Sequence, residues 1–427
     1  MNKVVIFILC AVLSLVTEKA KAQSVFAGNG FTTEYDGGSA TSSGLYSPRH
    51  IAADGNGNIY LTTGYSYGSS MGNVKIRKID SSGIISTYAG GSEDTSSYAN
   101  SNVAATNTRF NEVNGLAVDS SNNLHISARL FDPMNNSAQC AIRKIDASSQ
   151  QVSTYAGQVS SGSSATCSYS GGNGDATSTY LNYNRGIAFD SSNNLYIAES
   201  YRLRKVSPGG IISTFAGNGN YGGSTFENSV SYYPTSFGVD PYSVAVDSSD
   251  NVYFTDGSSY IRKVTNGGGN MYNFVVSGST FSDSLAGTSG TLTSDGSNLY
   301  VYSSGNYEIL QVTSTGYASS LLYLSGSEYH LAYKSGNLYY SDTYSNYVYK
   351  YTLSTSSTTS TTYTTSTTST TSASSGFSLS SYYSSNKQEV LALGASAFTM
   401  LAHFGLVSYL AASGVQSVKS ADSSADI

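Results

Sequence analysis

Four histidines occur in the 427 residues, and two share a local pattern: His50 in "HIAAD" and His330 in "HLAYK". Each opens a short stretch of alternating apolar residues, so each stands at the start of a β-strand. Neutral imidazoles placed together can move a proton or donate to a metal. A catalytic metal wants three protein ligands and an open position. His125 lies in a different local setting, "NLHIS", on the second strand of its hairpin, and His403 lies in the C-terminal apolar run. Other matches to chemical motifs fail on context. "GNGNYG", Gly217 to Gly222, has phosphate-loop spacing, but no helix N-terminus follows to hold the anion. "GSSMG", Gly68 to Gly72, has the spacing of a nucleophile elbow, yet it joins two strands and not a strand and a helix. "DGNGN" from Asp54 starts like a calcium loop but lacks the Gly and Glu that complete one. The recurrence of its aspartate at Asp119, Asp190, Asp247 and Asp295 marks a turn residue that accepts backbone hydrogen bonds.

The elements that position these residues are strands in repeated units. "RHIAADGNGNIYLTTG" from Arg49, "NGLAVDSSNNLHISAR" from Asn114, "RGIAFDSSNNLYIAES" from Arg185 and "YSVAVDSSDNVYFTDG" from Tyr242 align as hairpins with polar turns. A third strand follows each: "IRKID" at Ile76, "IRKID" at Ile142, "LRKVS" at Leu203, "IRKVT" at Ile261. The fourth ends in "STYAGG" from Ser86, "STYAGQ" from Ser153 or "STFAGNG" from Ser213. Two looser copies begin at Gly290 and Tyr329, and the last stops at Leu353 after three strands. The chain supplies the missing piece at its start, "SVFAGNG", Ser24 to Gly30. The expected architecture is an all-β, six-bladed β-propeller over residues 23–353, with the N-terminal strand completing the last blade. Such closure leaves no open blade edge. First strands line the channel of such a ring, so His50 and His330, on units one and six, should meet at one rim.

The order "GIAF…NLYIA…LRKV…GIISTFAGNG" resembles the NHL repeat, a propeller blade of many secreted and surface proteins, and "GGNGDATSTYLN", Gly171 to Asn182, is similar to that family's inter-blade loop. The resemblance covers residues 24 to about 280 well and 285–353 loosely. It implies the fold, and it implies little about function. Some propeller enzymes similar to this family, the amidating lyases, hold a metal on channel histidines, which makes His50 and His330 the candidate metal ligands here, but two ligands make a weak site and the favoured reading is rim histidines facing solvent or a hydrogen-bond partner. Arg77, Arg143, Arg204 and Arg262 recur at one blade position and read as packing residues, with stems on apolar surface and heads on carbonyls or tyrosine rings. The rival reading is a basic ring that captures an anion.

Outside the propeller, Lys3, an apolar run from Val4 to Val16 and "AKA" at Ala20 to Ala22 read as a signal peptide, residues 1–22. Residues 354–388 open with "STSSTTSTTYTTSTTSTTS", which cannot bury enough surface to fold and reads as a Ser/Thr stalk. Residues 389–412 carry 23 apolar-run residues, Val390 to Ala412, a length of roughly 35 Å as a helix and enough to span a bilayer. Residues 413–427 form a short polar tail. The expected protein is therefore a single-pass type I cell-surface protein, or secreted if the span does not form. In that oxidising setting Cys140 and Cys167 are expected to pair, and Asn135 in "NNS" is the glycosylation sequon.

Charged residues are 11% of the chain and the formal net charge is −6, which excludes a general basic field for nucleic acid. No motif implies a cofactor. The 37 tyrosines offer broad amphipathic contact area at low entropy cost. Long inserts near 91–110, 129–139, 158–180 and 218–238 are where specificity would reside. The favoured expectation is a binding or adhesion module for an extracellular protein or glycan. A metal-dependent lyase or hydrolase in the channel and a structural coat protein are the alternatives.

Overall fold

The computed structural model describes residues 23–64, 73–94, 101–132, 137–159, 167, 172–221, 231–257, 260–274, 291–326 and 328–353. The leader, the stalk, the segment expected to span a membrane, the tail, Asn135 and "GSSMG" lie outside them. Among the described residues no helix is long and apolar enough to cross a membrane.

Six antiparallel sheets make a six-bladed β-propeller. Within each blade the hairpin order is kept from the innermost strand outwards, as in Ile187–Phe189, Leu195–Glu199, Arg202–Val206 and Ile211–Ala216 of blade three. Gln23–Ala27 pairs antiparallel with Tyr347–Thr352 and completes blade six, so the ring closes with a strand from the N-terminal end of the fold. The apolar core lies between blades, in six clusters that each join two neighbours around the ring.

The "A-G" that ends the fourth strand of blades one, two, three and six now has a cause. Gly28, Gly157 and Gly217 take φ of 91°, 90° and 87°. Each donates its N–H to the carbonyl of a small residue in the next blade's entry loop: Ala40, Ala176 and Pro234, at 2.8–2.9 Å. A side chain there would strike backbone; a Cβ on Gly28 would lie 2.2 Å from the Asn346 carbonyl oxygen. The entry loops hold a feature the four-strand expectation missed. Gly38–Ser39, Val103–Ala104 and Gly174–Asp175 each add a short fifth strand outside the fourth strand of blades one, two and three. The chain doubles back there because Ala40, Ala105 and Ala176, all buried, donate their N–H groups to the turn between the blade's last two strands.

The turn aspartates behave as expected. Asp54, Asp119, Asp190, Asp247 and Asp295 each accept backbone N–H groups of their own turn. They also accept from a ring on the second strand: Tyr60, Tyr196, Tyr253 and Tyr300 by their hydroxyls. His125 takes the tyrosine's place in blade two, with Nε2 3.2 Å from Asp119 and its ring edge-on to Tyr155 and Phe189. It is buried, structural and outside the set of channel-lining residues.

The four recurring arginines are entirely buried, at 0–1% exposure, so they make no basic ring at the surface. The heads of Arg77 and Arg204 reach carbonyls, as expected, and those of Arg77, Arg204 and Arg262 face carboxylates. Arg77 is held by Glu34, Asp36 and the Tyr35 carbonyl. Arg262 donates Nε–H to Asp256 at 2.8 Å, and Arg204 lies 3.6 Å from Glu199. Cys140 and Cys167 form a disulfide that ties the insert before blade three to the third strand of blade two.

Candidate functional site: the channel mouth

The inner strands leave a cavity of about 770 Å³ on the ring axis. The six residues that open the repeat alignment, His50, Gly115, Gly186, Ser243, Thr291 and His330, all line it. His50, Gly186 and Thr291 stand just before their first strands and Gly115, Ser243 and His330 within theirs, and neighbours around the ring touch at this level. The ring there is lopsided. A Cβ on Gly115 would lie 2.9 Å from the Arg185 carbonyl oxygen, and one on Gly186 would lie 2.8 Å from that of Tyr242. Blades two to four therefore pack backbone to backbone, and Gly186 donates its N–H to Tyr242. Blades five, six and one put side chains into the same level. His50 and His330 meet as expected, with ring centroids 4.2 Å apart.

One residue further along, Ile51, Leu116, Ile187, Val244, Leu292 and Leu331 supply one buried apolar side chain per blade to the same cavity. The site is thus a cup with apolar walls below a polar rim. Sequence reasoning found the histidines and missed the rest of that rim. Three arginines stand on it, each with a carboxylate: Arg49 with Glu328 at 3.1 Å, Arg129 with Glu112 at 3.4 Å, Arg185 with Asp240 at 2.7 Å. Two also cover tyrosine rings, Arg185 over Tyr242 at 3.7 Å and Arg129 over Tyr183 at 5.6 Å. The adjacent "RH" and "RG" pairs were the available signal for Arg49 and Arg185.

Burial lowers the His50 pKa well below 6.5, helped by His330 and Arg49 and opposed by a hydrogen bond to the Val113 backbone. Burial also lowers that of His330, against the pull of Glu328. The His330 side chain keeps 12% exposure to the channel, with Nε2 3.6 Å from Glu328. Burial alone would raise Glu328, but His330 and Arg49 hold its carboxyl below the usual value. Both imidazoles are thus neutral at neutral pH. As metal donors they are one ligand short. Glu328 is the nearest addition and is already bonded to Arg49. Among the described residues no group of three or more His, Cys, Asp or Glu is placed to hold a metal ion. The pair therefore does not fit a resident catalytic metal.

No family model and no curated protein matches the chain. Solved structures similar to it include a protein of unknown function from Bacteroides thetaiotaomicron, with 14% identity, 77% of this chain and 75% of that one covered, and a TM-score of 0.49. An auxiliary nutrient binding protein from Bacteroides ovatus gives 11% identity, 77% and 75% coverage, and a TM-score of 0.49. A streptogramin B lyase gives 12% identity, 78% and 97% coverage, and a TM-score of 0.43. At such identities and scores none of these carries an argument about ligand or chemistry.

Proposed function

We propose that this propeller, of the NHL type, is an extracellular binding module for a protein or glycan, with its ligand seated at the channel mouth. The observation that carries the reading is the cup itself: about 770 Å³, with one apolar residue per blade below and a rim of arginine, carboxylate, tyrosine and histidine above. Ligand pockets have that volume and that division between apolar wall and few polar anchors. The leader, Ser/Thr stalk and apolar segment of the sequence support display at the cell surface, with the propeller held clear of the membrane.

The test is saturable binding of the purified full chain to a printed panel of extracellular proteins and glycans. Binding should fall at least tenfold in Arg185→Ala and Tyr183→Ala, each checked for unchanged thermal unfolding. A partner whose binding ignores both changes would place the functional surface elsewhere on the propeller.

A further inference from the structure

Two neighbouring blades place an acid at the same point beneath the mouth, and the two copies differ. Glu199 and Asp256 end their second strands, and the residues two before them, Ile197 and Phe254, pair with Arg204 and Arg262 of the third. In each blade the residue after the acid donates its N–H to the segment that leads into the rim: Ser200 to the Asn182 carbonyl at 3.0 Å, Gly257 to the Asp240 carbonyl at 2.8 Å. In blade four the acid is fully engaged. One oxygen of Asp256 accepts the Asp240 N–H at 2.9 Å and the other accepts Nε–H of Arg262 at 2.8 Å. That double hold ties the rim segment to the third strand. In blade three Glu199 faces the same two groups, the Asn182 backbone and the Arg204 head at 3.6 Å, and closes a hydrogen bond with neither. The charged groups that face it are Arg204 and Arg202, both on the third strand.

The segment over Glu199 carries part of the mouth. Tyr183 and Arg185 line the cup, and Arg185 reaches across to Asp240, the residue that Asp256 holds. Tyr183 has φ of 47°, a conformation that bulky residues rarely adopt, so its neighbours' bonds must hold it. On one side Asn184 donates to Ser127 and to the Ala128 and Ala141 carbonyls of blade two, and Arg185 donates its N–H to Ala198. On the other side Asn182 has its two bonds with Ser200, at 3.0 and 3.4 Å. A neutral carboxyl can rest beside a guanidinium without closing on it. A buried carboxylate left unpaired is costly, and its charge-assisted bonds are the stronger kind. Burial raises the Glu199 carboxyl to about 7, which sets the change of state at neutral pH.

We propose that Glu199 is a proton-operated latch on the mouth: on ionising, its carboxylate closes on Arg204 and the Asn182 N–H, as Asp256 does in blade four, and fastens the segment that carries Tyr183 and Arg185. As regulation of binding this rests on the proposal that the mouth is the binding site, and the experiment needs no ligand. Hydrogen exchange of the full-length chain is followed by mass spectrometry at pH 5.5 and pH 8.0, with each rate corrected for the intrinsic effect of pH. Protection of the amides of residues 182–184 should rise at least fivefold at the higher pH. The equivalent segment of blade four, residues 240–243, is the internal control and should change less than twofold. Glu199→Gln, checked for unchanged circular dichroism, should hold residues 182–184 at the low level at both pH values. No rise in the wild type, an equal rise in the blade-four segment, or a rise that persists in Glu199→Gln would each overturn the latch. A rise that Glu199→Gln abolishes, beside partner binding that ignores Arg185→Ala, would keep the latch and overturn the mouth as the site.

Discussion

Glu199 ends the second strand of blade three, and neither of its carboxylate oxygens closes a hydrogen bond. It is 0% exposed. Burial raises its carboxyl from an ordinary 4.5 to about 7, and Arg204, Arg202 and the Asn182 backbone offset only part of that. The consequence has a definite sign. Between pH 4.5 and 7 the folded chain holds a proton that the unfolded chain has released, so this group's contribution falls as pH rises through that window. At about 1.4 kcal/mol for each pH unit, the loss is about 3 kcal/mol above pH 7. Glu199→Gln keeps the shape and removes the titration. Relative to wild type, the variant should therefore gain about 2.5 kcal/mol between pH 5 and pH 8. Urea unfolding at half-unit pH steps reads this directly, as a relative midpoint shift of about 1 M for an m-value near 3 kcal/mol/M. Subtracting the two curves removes every other titrating group. A difference that stays flat with pH, or a wild type that gains on the variant as pH rises, would refute the reasoning.

In the neighbouring blade the equivalent pair is closed by a hydrogen bond. Asp256 is hydrogen-bonded to Arg262 and both are buried, so Asp256→Ala should destabilise by about 3–5 kcal/mol, with much of that recovered in Asp256→Leu/Arg262→Met. Recovery is read by thermal unfolding, and equal losses in single and double variants would count against the pair. Replacing both Cys140 and Cys167 by Ser should cost about 3–4 kcal/mol, the chain-entropy value for a closed loop of this separation, 27 residues, measured by denaturant unfolding under oxidising conditions. At the mouth, both histidine pKa values are lowered by burial, so below pH 6.5 the unfolded chain takes up protons that the folded one refuses, and stability falls on acidification. His50→Gln/His330→Gln should flatten that acid limb. Metal analysis of the same pair of proteins should find no stoichiometric ion, and one equivalent present only in wild type would revive the channel-site enzyme.

The propeller was legible because its determinants repeat. Alternation, turn aspartates, the "A-G" at the end of four fourth strands and the arginine of four third strands recur, and a strand without a unit at one end met a unit without a strand at the other. The His50–His330 contact followed from the same register. The partners of the buried arginines were only partly legible, because the acid ends the second strand in blades three and four, at one repeat position, but comes from the entry loop in blade one. It lies 41 residues back for Arg77, with Asp36, but five back for Arg204 and six back for Arg262. The fifth strands were hidden in loops whose only shared mark is a buried small residue. The rim was hidden most deeply. Arg49 and Glu328 are 279 residues apart and Arg185 and Asp240 are 55 apart, so no local pattern pairs them.

That failure is itself informative about where function lies. A ring of similar blades fixes six equivalent inward positions, and equivalence supplies shape without specificity. Discrimination needs the positions where blades differ. Here they differ at one level of the channel: glycine on blades two and three, serine and threonine on four and five, histidine on six and one. The glycines let blades two to four close up, which gathers the remaining width on the side of the histidines. His330 stands beside the Arg49–Glu328 ion pair and the neighbouring imidazole. One asymmetric ring of six residues thus sets the width and lining of the mouth while the blades around it keep their shared pattern.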